Sequence, residues 1–179
     1  SGSLPPGAPD GFLPLLIAVA KDAGVPAIVD TSGPALLQAA DAGASVLKPN
    51  RAELAEATGI LDPVDGARML IERGAELVLL SLGAAGMLAI TASDLVRARL
   101  DEPLAGNPTG AGDAAVAACA VLYAEGERDP ELILRRAAAW SAAAVLMPLA
   151  GDISPQWPAI AAQLRVSRPD PDSVRKDLS

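Results

Sequence analysis

The 179-residue sequence contains no histidine. That removes histidine-based triads and histidine metal sites, and leaves a carboxylate, a lysine, a tyrosine or the single cysteine as the only candidates for a general base. One cysteine, Cys119, gives no disulfide framework and fits a reducing cytoplasm. It sits inside an apolar run, so it reads as a buried structural thiol rather than a nucleophile. Aromatic residues make up only 2% of the chain, so the core must be built from Ala, Leu, Val and Ile. Positive charge is also short: 14 Lys and Arg stand against 22 Asp and Glu, a net charge of −8. That balance disfavours a nucleic-acid or anionic-membrane partner, which would need a basic patch. There is no breaker-free apolar stretch of membrane-spanning length and no charged-then-apolar signal pattern at the start. What remains is 51% hydrophobic and 20% charged, the make-up of one soluble globular domain with a real core.

Breakers and apolar runs divide the chain into alternating units. After a loop at 1–7, Asp10 caps an expected helix to about residue 23, with Leu13, Leu16, Ile17 and Ala20 at helical spacing. Ala27, Ile28 and Val29 form a short strand, followed by a helix over 34–42; Ser45, Val46 and Leu47 form the next, followed by a helix from Arg51. Asp62-Pro63 pairs a cap with an N1 proline and opens a helix that ends at Gly74. A strongly apolar strand covers 76–80. Short strands at 87–91 and 95–99 then flank a turn near Ser93-Asp94. Helices are expected from the glycine stretch to about residue 125, over 130–146 and over 154–164. The polar, Pro- and Asp-rich residues 166–179 read as a flexible tail beyond a unit covering 1–165. Strand–helix alternation predicts a parallel sheet with helices on both faces, and ligands in such sheets bind beyond the carboxyl ends of the strands.

Three polar clusters fall at those ends: Asp30-Thr31-Ser32, Lys48-Pro49-Asn50 and Ser81-Leu82-Gly83. A fourth, Asn107-Pro108-Thr109-Gly110-Ala111-Gly112-Asp113, precedes an alanine-rich helix that could start on the same rim. Glycines at 110 and 112 let backbone approach a ligand closely, and a helix's first turn offers unpaired N–H groups to an anion. Asp113 adds a carboxylate beside them. A cradle plus a carboxylate suits phosphoryl transfer; an ordinary glycine-rich helix start is the alternative. Lys48 is either a phosphate contact or a surface lysine. Asn50 and Glu53, three apart, could help to hold a hydrated Mg²⁺, but their spacing alone favours a structural capping box. Asp30 reads as an outer metal carboxylate or as a cap for the helix at Pro34.

Five stretches, in this order, resemble one family: Ser1-Gly2-Ser3-Leu4-Pro5-Pro6-Gly7, Asp30-Thr31-Ser32-Gly33, Lys48-Pro49-Asn50-Arg51-Ala52-Glu53-Leu54, Ser81-Leu82-Gly83-Ala84-Ala85-Gly86 and Thr109-Gly110-Ala111-Gly112-Asp113. The chain resembles the PfkB-type carbohydrate kinases of the ribokinase superfamily, in the branch of 1-phosphofructokinase and tagatose-6-phosphate kinase. The resemblance implies a Rossmann-like three-layer α/β/α sandwich. It implies ATP-dependent phosphorylation of a sugar phosphate of the fructose 1-phosphate, fructose 6-phosphate or tagatose 6-phosphate class, with ATP and Mg²⁺ as cofactors. Asp113 would be the base, and the backbone of Gly110, Ala111 and Gly112 the anion hole. Lys48 would touch ATP phosphates. Asn50 and Glu53 would organise Mg²⁺ and phosphate, against what their spacing alone favours. Ser81, Gly83 and Gly86 would border the nucleotide, and Ser3 would sit near the sugar phosphate. A homodimer of the complete protein is also compatible with the family.

The sequence departs from the family twice. Proline stands at 108 where the family has threonine, which leaves Thr109 to supply that ATP contact. The chain also opens without methionine and within a motif, so it reads as the C-terminal, nucleotide-binding portion, with the N-terminal strands, most sugar contacts and the β lid missing. A truncated, inactive nucleotide-binding or interaction module is the competing reading.

Overall fold

The computed structural model describes residues 2, 7–9 and 11–178. Helix α1 spans Phe12–Asp22, β1 Ile28–Val29, α2 Pro34–Asp41, β2 Val46–Leu47, α3 Arg51–Thr58, α4 Pro63–Arg73 and β3 Leu77–Ser81. A single 3₁₀ turn over Gly83–Ala85 leads into β4, Met87–Ile90, and β5, Leu95–Arg99. Then come α5, Ala111–Ala124; α6, Pro130–Val145; α7, Trp157–Gln163; β6, Arg165–Ser167; and α8, Pro171–Leu178.

The six strands form one sheet in chain order, β1 to β6. The pairs β1–β2 and β2–β3 are parallel, whereas β3–β4, β4–β5 and β5–β6 are antiparallel. The expected parallel sheet is therefore parallel only across its first three strands. The reason lies in the connections: helices return the chain between β1, β2 and β3, while β3, β4 and β5 are joined by short turns that can link only antiparallel neighbours.

Both faces of the sheet are covered, and strand periodicity explains how. Along β3, Leu77 and Leu79 point into a cluster built with α5 and α6, including Ala115, Ala118, Ile133 and Leu134. Val78 and Leu80 point the opposite way, into a cluster with Ile17 of α1, Leu36 of α2, Leu54 of α3 and Leu70 of α4. The result is the three-layer α/β/α sandwich expected from the alternation. Small residues suit its helix layer: α5 and α6 pack together with alanines 115, 118, 137 and 139 fully buried. Cys119 is buried among them, and burial pushes its thiol up to about 12. The structural reading of that residue stands.

Local caps follow the sequence in two cases and depart from it in others. The Asp62 side chain accepts from the N–H groups of Val64 and Asp65, and Asn50 and Glu53 form a complete capping box. The residue entering α1 is Gly11, in the left-handed region at φ 79°, and Asp10 lies outside the described residues. The last interior helix, expected from 154, starts at Trp157; Ser154 precedes it and is buried.

The flexible tail expected over 166–179 is corrected: residues 165–178 are built into the fold. β6 pairs with β5 through the register Arg97↔Ser167, Ala98↔Val166 and Arg99↔Arg165. In α8, Val174 is fully buried in the second core cluster, and Arg175 reaches both Asp62, the N-cap of α4, and Asp65 in its first turn at 3.0 and 2.7 Å. Polar composition suggested a tail, but one buried valine and a set of ion pairs are enough to dock a short helix on an existing core.

Candidate active site

The rim of the sheet is assembled by the three parallel strands. β1 ends at Val29 and delivers Asp30, β2 ends at Leu47 and delivers Lys48, and β3 ends in Ser81. An additional parallel bridge joins Asn50 to Ser81, so the second and third of these clusters are tied side by side. A cavity of about 880 Å³ opens above them. Asp30, Lys48, Asn50, Glu53, Ser81, Gly83, Gly86, Ala111, Gly112 and Asp113 all line it. Ten residues singled out in the sequence, spread over more than 80 positions, are thus brought to one opening.

Lys48 is the electrostatic centre of that opening. It is only 5% exposed, and its ammonium lies 3.3 Å from a carboxylate oxygen of Asp30. The surface-lysine alternative is therefore set aside: a lysine this deep needs a partner, and Asp30 supplies one. Asp30 does not cap α2. The N-cap there is Gly33, with no side-chain cap bond.

The start of α5 closes the opening from the other side. Gly110 is the N-cap in the left-handed conformation, φ 86°, and the chain from Ala111 onward is helical. A side chain at Gly112 would place its Cβ 3.1 Å from Lys48 Nζ and 3.8 Å from Asp30 Oδ2. Glycine at 112 therefore lets the backbone of the first turn lie directly against the Lys48–Asp30 pair. Asp113 follows on the same turn, exposed and lining the cavity. A cation and a helix N-terminus converge here, with a carboxylate at the edge. That arrangement can hold an anion and accept a proton next to it.

The details refine several expected roles. The Ala111 N–H donates to Pro108 O, which withdraws one donor of the glycine stretch from a ligand. Thr109 and Gly110 do not line the cavity; the Thr109 N–H donates to Asn107 Oδ1, which shapes the turn before the helix. The capping box binds Asn50 Oδ1 to the Glu53 N–H and Glu53 Oε2 to the Asn50 N–H, at 2.9 and 2.8 Å. Glu53 keeps its other carboxylate oxygen and Asn50 its amide N–H₂ for a ligand. Ser3 lies outside the described residues.

A family model for pfkB family carbohydrate kinases matches residues 1–157. The chain belongs to that family. Its pfkB relatives include the 1-phosphofructokinase of Xanthomonas campestris pv. campestris, 39% identical over 153 residues, covering 79% of this chain and 47% of the relative. The ATP-dependent 6-phosphofructokinase isozyme 2 of Escherichia coli is 35% identical over 150 residues, covering 80% and 48%. The crystal structure of phosphofructokinase-2 from E. coli in complex with potassium superposes with a TM-score of 0.80 at 31% identity, over 89% of this chain and 54% of that one. The chain thus spans about half the length of the pfkB relatives it matches, and its mixed sheet flanked by helices is their ribokinase-like architecture.

Other residues at the pfkB rim received no role of their own from the sequence. Thr31 is buried, lines the cavity and has a hydroxyl with no hydrogen-bond partner among the described residues. Leu100, Leu104 and Val145 give the cavity an apolar wall. Gly106 belongs to this group too: a Cβ there would overlap Val145 O, and the neighbouring Asn107 N–H donates to that same oxygen at 2.8 Å. This contact ties the glycine stretch to the end of α6. Only the glycine beside Asn107 hinted at it, because the partner lies 39 residues away in sequence.

Proposed function

We propose that the rim binds MgATP and that the intact protein transfers its terminal phosphoryl group to a hydroxyl of a sugar phosphate, of the fructose 1-phosphate, fructose 6-phosphate or tagatose 6-phosphate class. The observation that carries this reading is the close approach of the Gly112 backbone to the buried Lys48–Asp30 pair, with Asp113 on the same helical turn. Membership of a carbohydrate-kinase family supplies the class of reaction. The names of its relatives, 1-phosphofructokinase and ATP-dependent 6-phosphofructokinase, support a phosphosugar acceptor and ATP as donor.

In this reading Lys48 neutralises phosphate charge as a point cation, steadied by Asp30. The backbone of residues 110–112, chiefly the Gly112 N–H, stabilises the charge that builds on the transferring group, aided by the helix dipole. Asp113 accepts the proton of the attacking hydroxyl. Ser81, Gly83 and Gly86 border the nucleotide, the apolar wall at Leu100, Leu104 and Val145 receives its base, Thr109 orders the turn, and Ser3 approaches the sugar phosphate. The donor set fits Mg²⁺. No cluster of three or more His, Cys, Asp or Glu forms a metal cage among the described residues, and Mg²⁺ is usually held by one or two carboxylates, water and substrate phosphates. Glu53 would hold it through its uncommitted oxygen, with Asn50 donating to phosphate and Asp30 behind; the ion neutralises phosphate charge when bound.

The test is a phosphotransfer assay of the intact protein with MgATP and each of the three sugar phosphates, beside the Asp113→Asn variant. Turnover of at least one acceptor, lost in the variant, is expected. MgATP binding with no turnover of any acceptor would favour the inactive nucleotide-binding module instead.

A further inference from the structure

The C-terminal helix α8 lies outside the residues matched by the family model, which end at 157, and it lines no part of the main cavity. Its last turn nevertheless touches two elements of the site. Asp177 pairs with Arg97 of β5 at 2.8 Å, and the Arg97 guanidinium also donates to Ala85 O at 3.4 Å. Ala85 ends the 3₁₀ turn over Gly83–Ala85, whose residues 83 and 84 line the cavity. At the other end, Arg51, the first residue of α3, donates to Leu178 O at 3.0 Å. Arg51 follows directly on the Asn50 capping box.

Arg97 is the key to the arrangement. Its side chain is 7% exposed, its Nε has no partner among the described residues, and the carboxylate the structure gives it comes from α8. A buried cation left without its carboxylate is costly and tends to move or recruit water. The 3₁₀ turn itself is held by few bonds: Leu82 N–H to Gly86 O, Ala85 N–H to Leu82 O and Gly86 N–H to Gly83 O. Gly83 opens it and Gly86 follows it, so little in its own sequence stiffens it. α8 meanwhile is docked independently, through Val174 and the Arg175 pairs to α4.

We infer that α8 is a strap that positions the nucleotide side of the site: Asp177, acting through Arg97, fixes the turn at residues 83–86, and Leu178 fixes the start of α3 through Arg51. Asp177 and Arg97 are positioning residues. Neither reaches the opening where phosphate would lie. The assignment to nucleotide, as opposed to some other ligand of the same turn, rests on the function proposed above.

The experiment uses the intact protein with Asp177→Asn, Asp177→Glu and Arg97→Met. Amide hydrogen exchange of residues 82–86 is measured together with MgATP affinity and the KM values for ATP and for the sugar phosphate. Asp177 is 54% exposed, so its replacement by Asn should leave the fold intact even if Arg97→Met does not. The expected result for Asp177→Asn is faster exchange at 82–86 and MgATP binding weaker by roughly 3- to 20-fold, the size of effects transmitted through one contact network. The sugar-phosphate KM should stay constant, and Asp177→Glu should recover most of the loss. Unchanged exchange in Asp177→Asn overturns the strap, as does an equal rise in both KM values. Faster exchange in a protein that binds no MgATP would uphold the strap and refute the nucleotide reading.

Discussion

The two halves of the sheet do different work. Across β1, β2 and β3 the strands run parallel, and each ends in polar residues at the same rim: Asp30, Lys48 and Ser81. Across β4, β5 and β6 the strands alternate in direction, so their loops fall at both ends of the sheet. That half reaches the cavity as wall, through Gly86, Met87, Ala98 and Arg99 and the flanking Leu100, Leu104 and Leu164. Parallel strands concentrate chemistry because every strand points its carboxyl end the same way. The antiparallel half gives up that convergence and supplies closure: it pairs the outer strands, seats α8 and braces the turn at 83–86.

Predictions from this contrast start with the parallel half, where effects should be largest. Asp113→Asn should lower turnover of the intact protein by about 10²–10⁴-fold, the usual worth of a positioned base, with substrate affinities little changed. A steady-state assay measures it; an unchanged rate removes Asp113 from the role. Lys48→Ala should weaken MgATP by roughly 10- to 100-fold, the scale of hydrogen bonds to charged groups, and weaken the sugar phosphate far less. Titration calorimetry with each ligand separates the two.

In the antiparallel half the expected losses are of stability. Gly86→Ala places a Cβ against Ala98 O at φ 94°, so β4 and β5 must shift. Overpacking of this kind costs about 1–3 kcal/mol, readable from a denaturant melt. The smallest effect concerns pH. Burial pushes the Cys119 thiol from its usual 9.0 to about 12 and the Tyr123 hydroxyl from 10.0 to about 12. Both groups then hold their protons in the folded chain at pH values where the unfolded chain has released them. Stability should therefore be flat with respect to these groups below about pH 9 and fall as pH rises from there toward 12. A melting series from pH 8 to 11 on wild type and Cys119→Ala checks this: the variant should lose less stability per pH unit. Below pH 9, the native thiol should react with a thiol reagent far more slowly than the unfolded chain does.

The same contrast explains what could be read from sequence. Helix and strand order was legible because prolines, glycines and Asx caps punctuate strong apolar runs, as at Asp62-Pro63 and Gly74. The rim was legible because short motifs sit where strands end, and a strand's end is a local property. The depth of Lys48 was not, since nothing beside it announces Asp30 eighteen residues earlier. The fixed C-terminus was not legible either. The polar sequence of α8 hides one buried valine, and its partners Asp62, Asp65 and Arg97 lie more than 75 residues away. Local chemistry declares itself; long-range pairing shows only in three dimensions. The capping box shows both sides of this. Spacing correctly indicated the structural pair Asn50–Glu53, and both residues of that pair also line the cavity.

Whether the rim holds a nucleotide through Lys48 is tested most directly by thermal melts of the intact protein and of its Lys48→Ala variant, each with and without MgATP. A ligand that binds only the folded state raises the melting temperature by mass action. The account predicts a clear upward shift in wild type and a much smaller one in Lys48→Ala. No shift in wild type, or the same shift in both proteins, would contradict it.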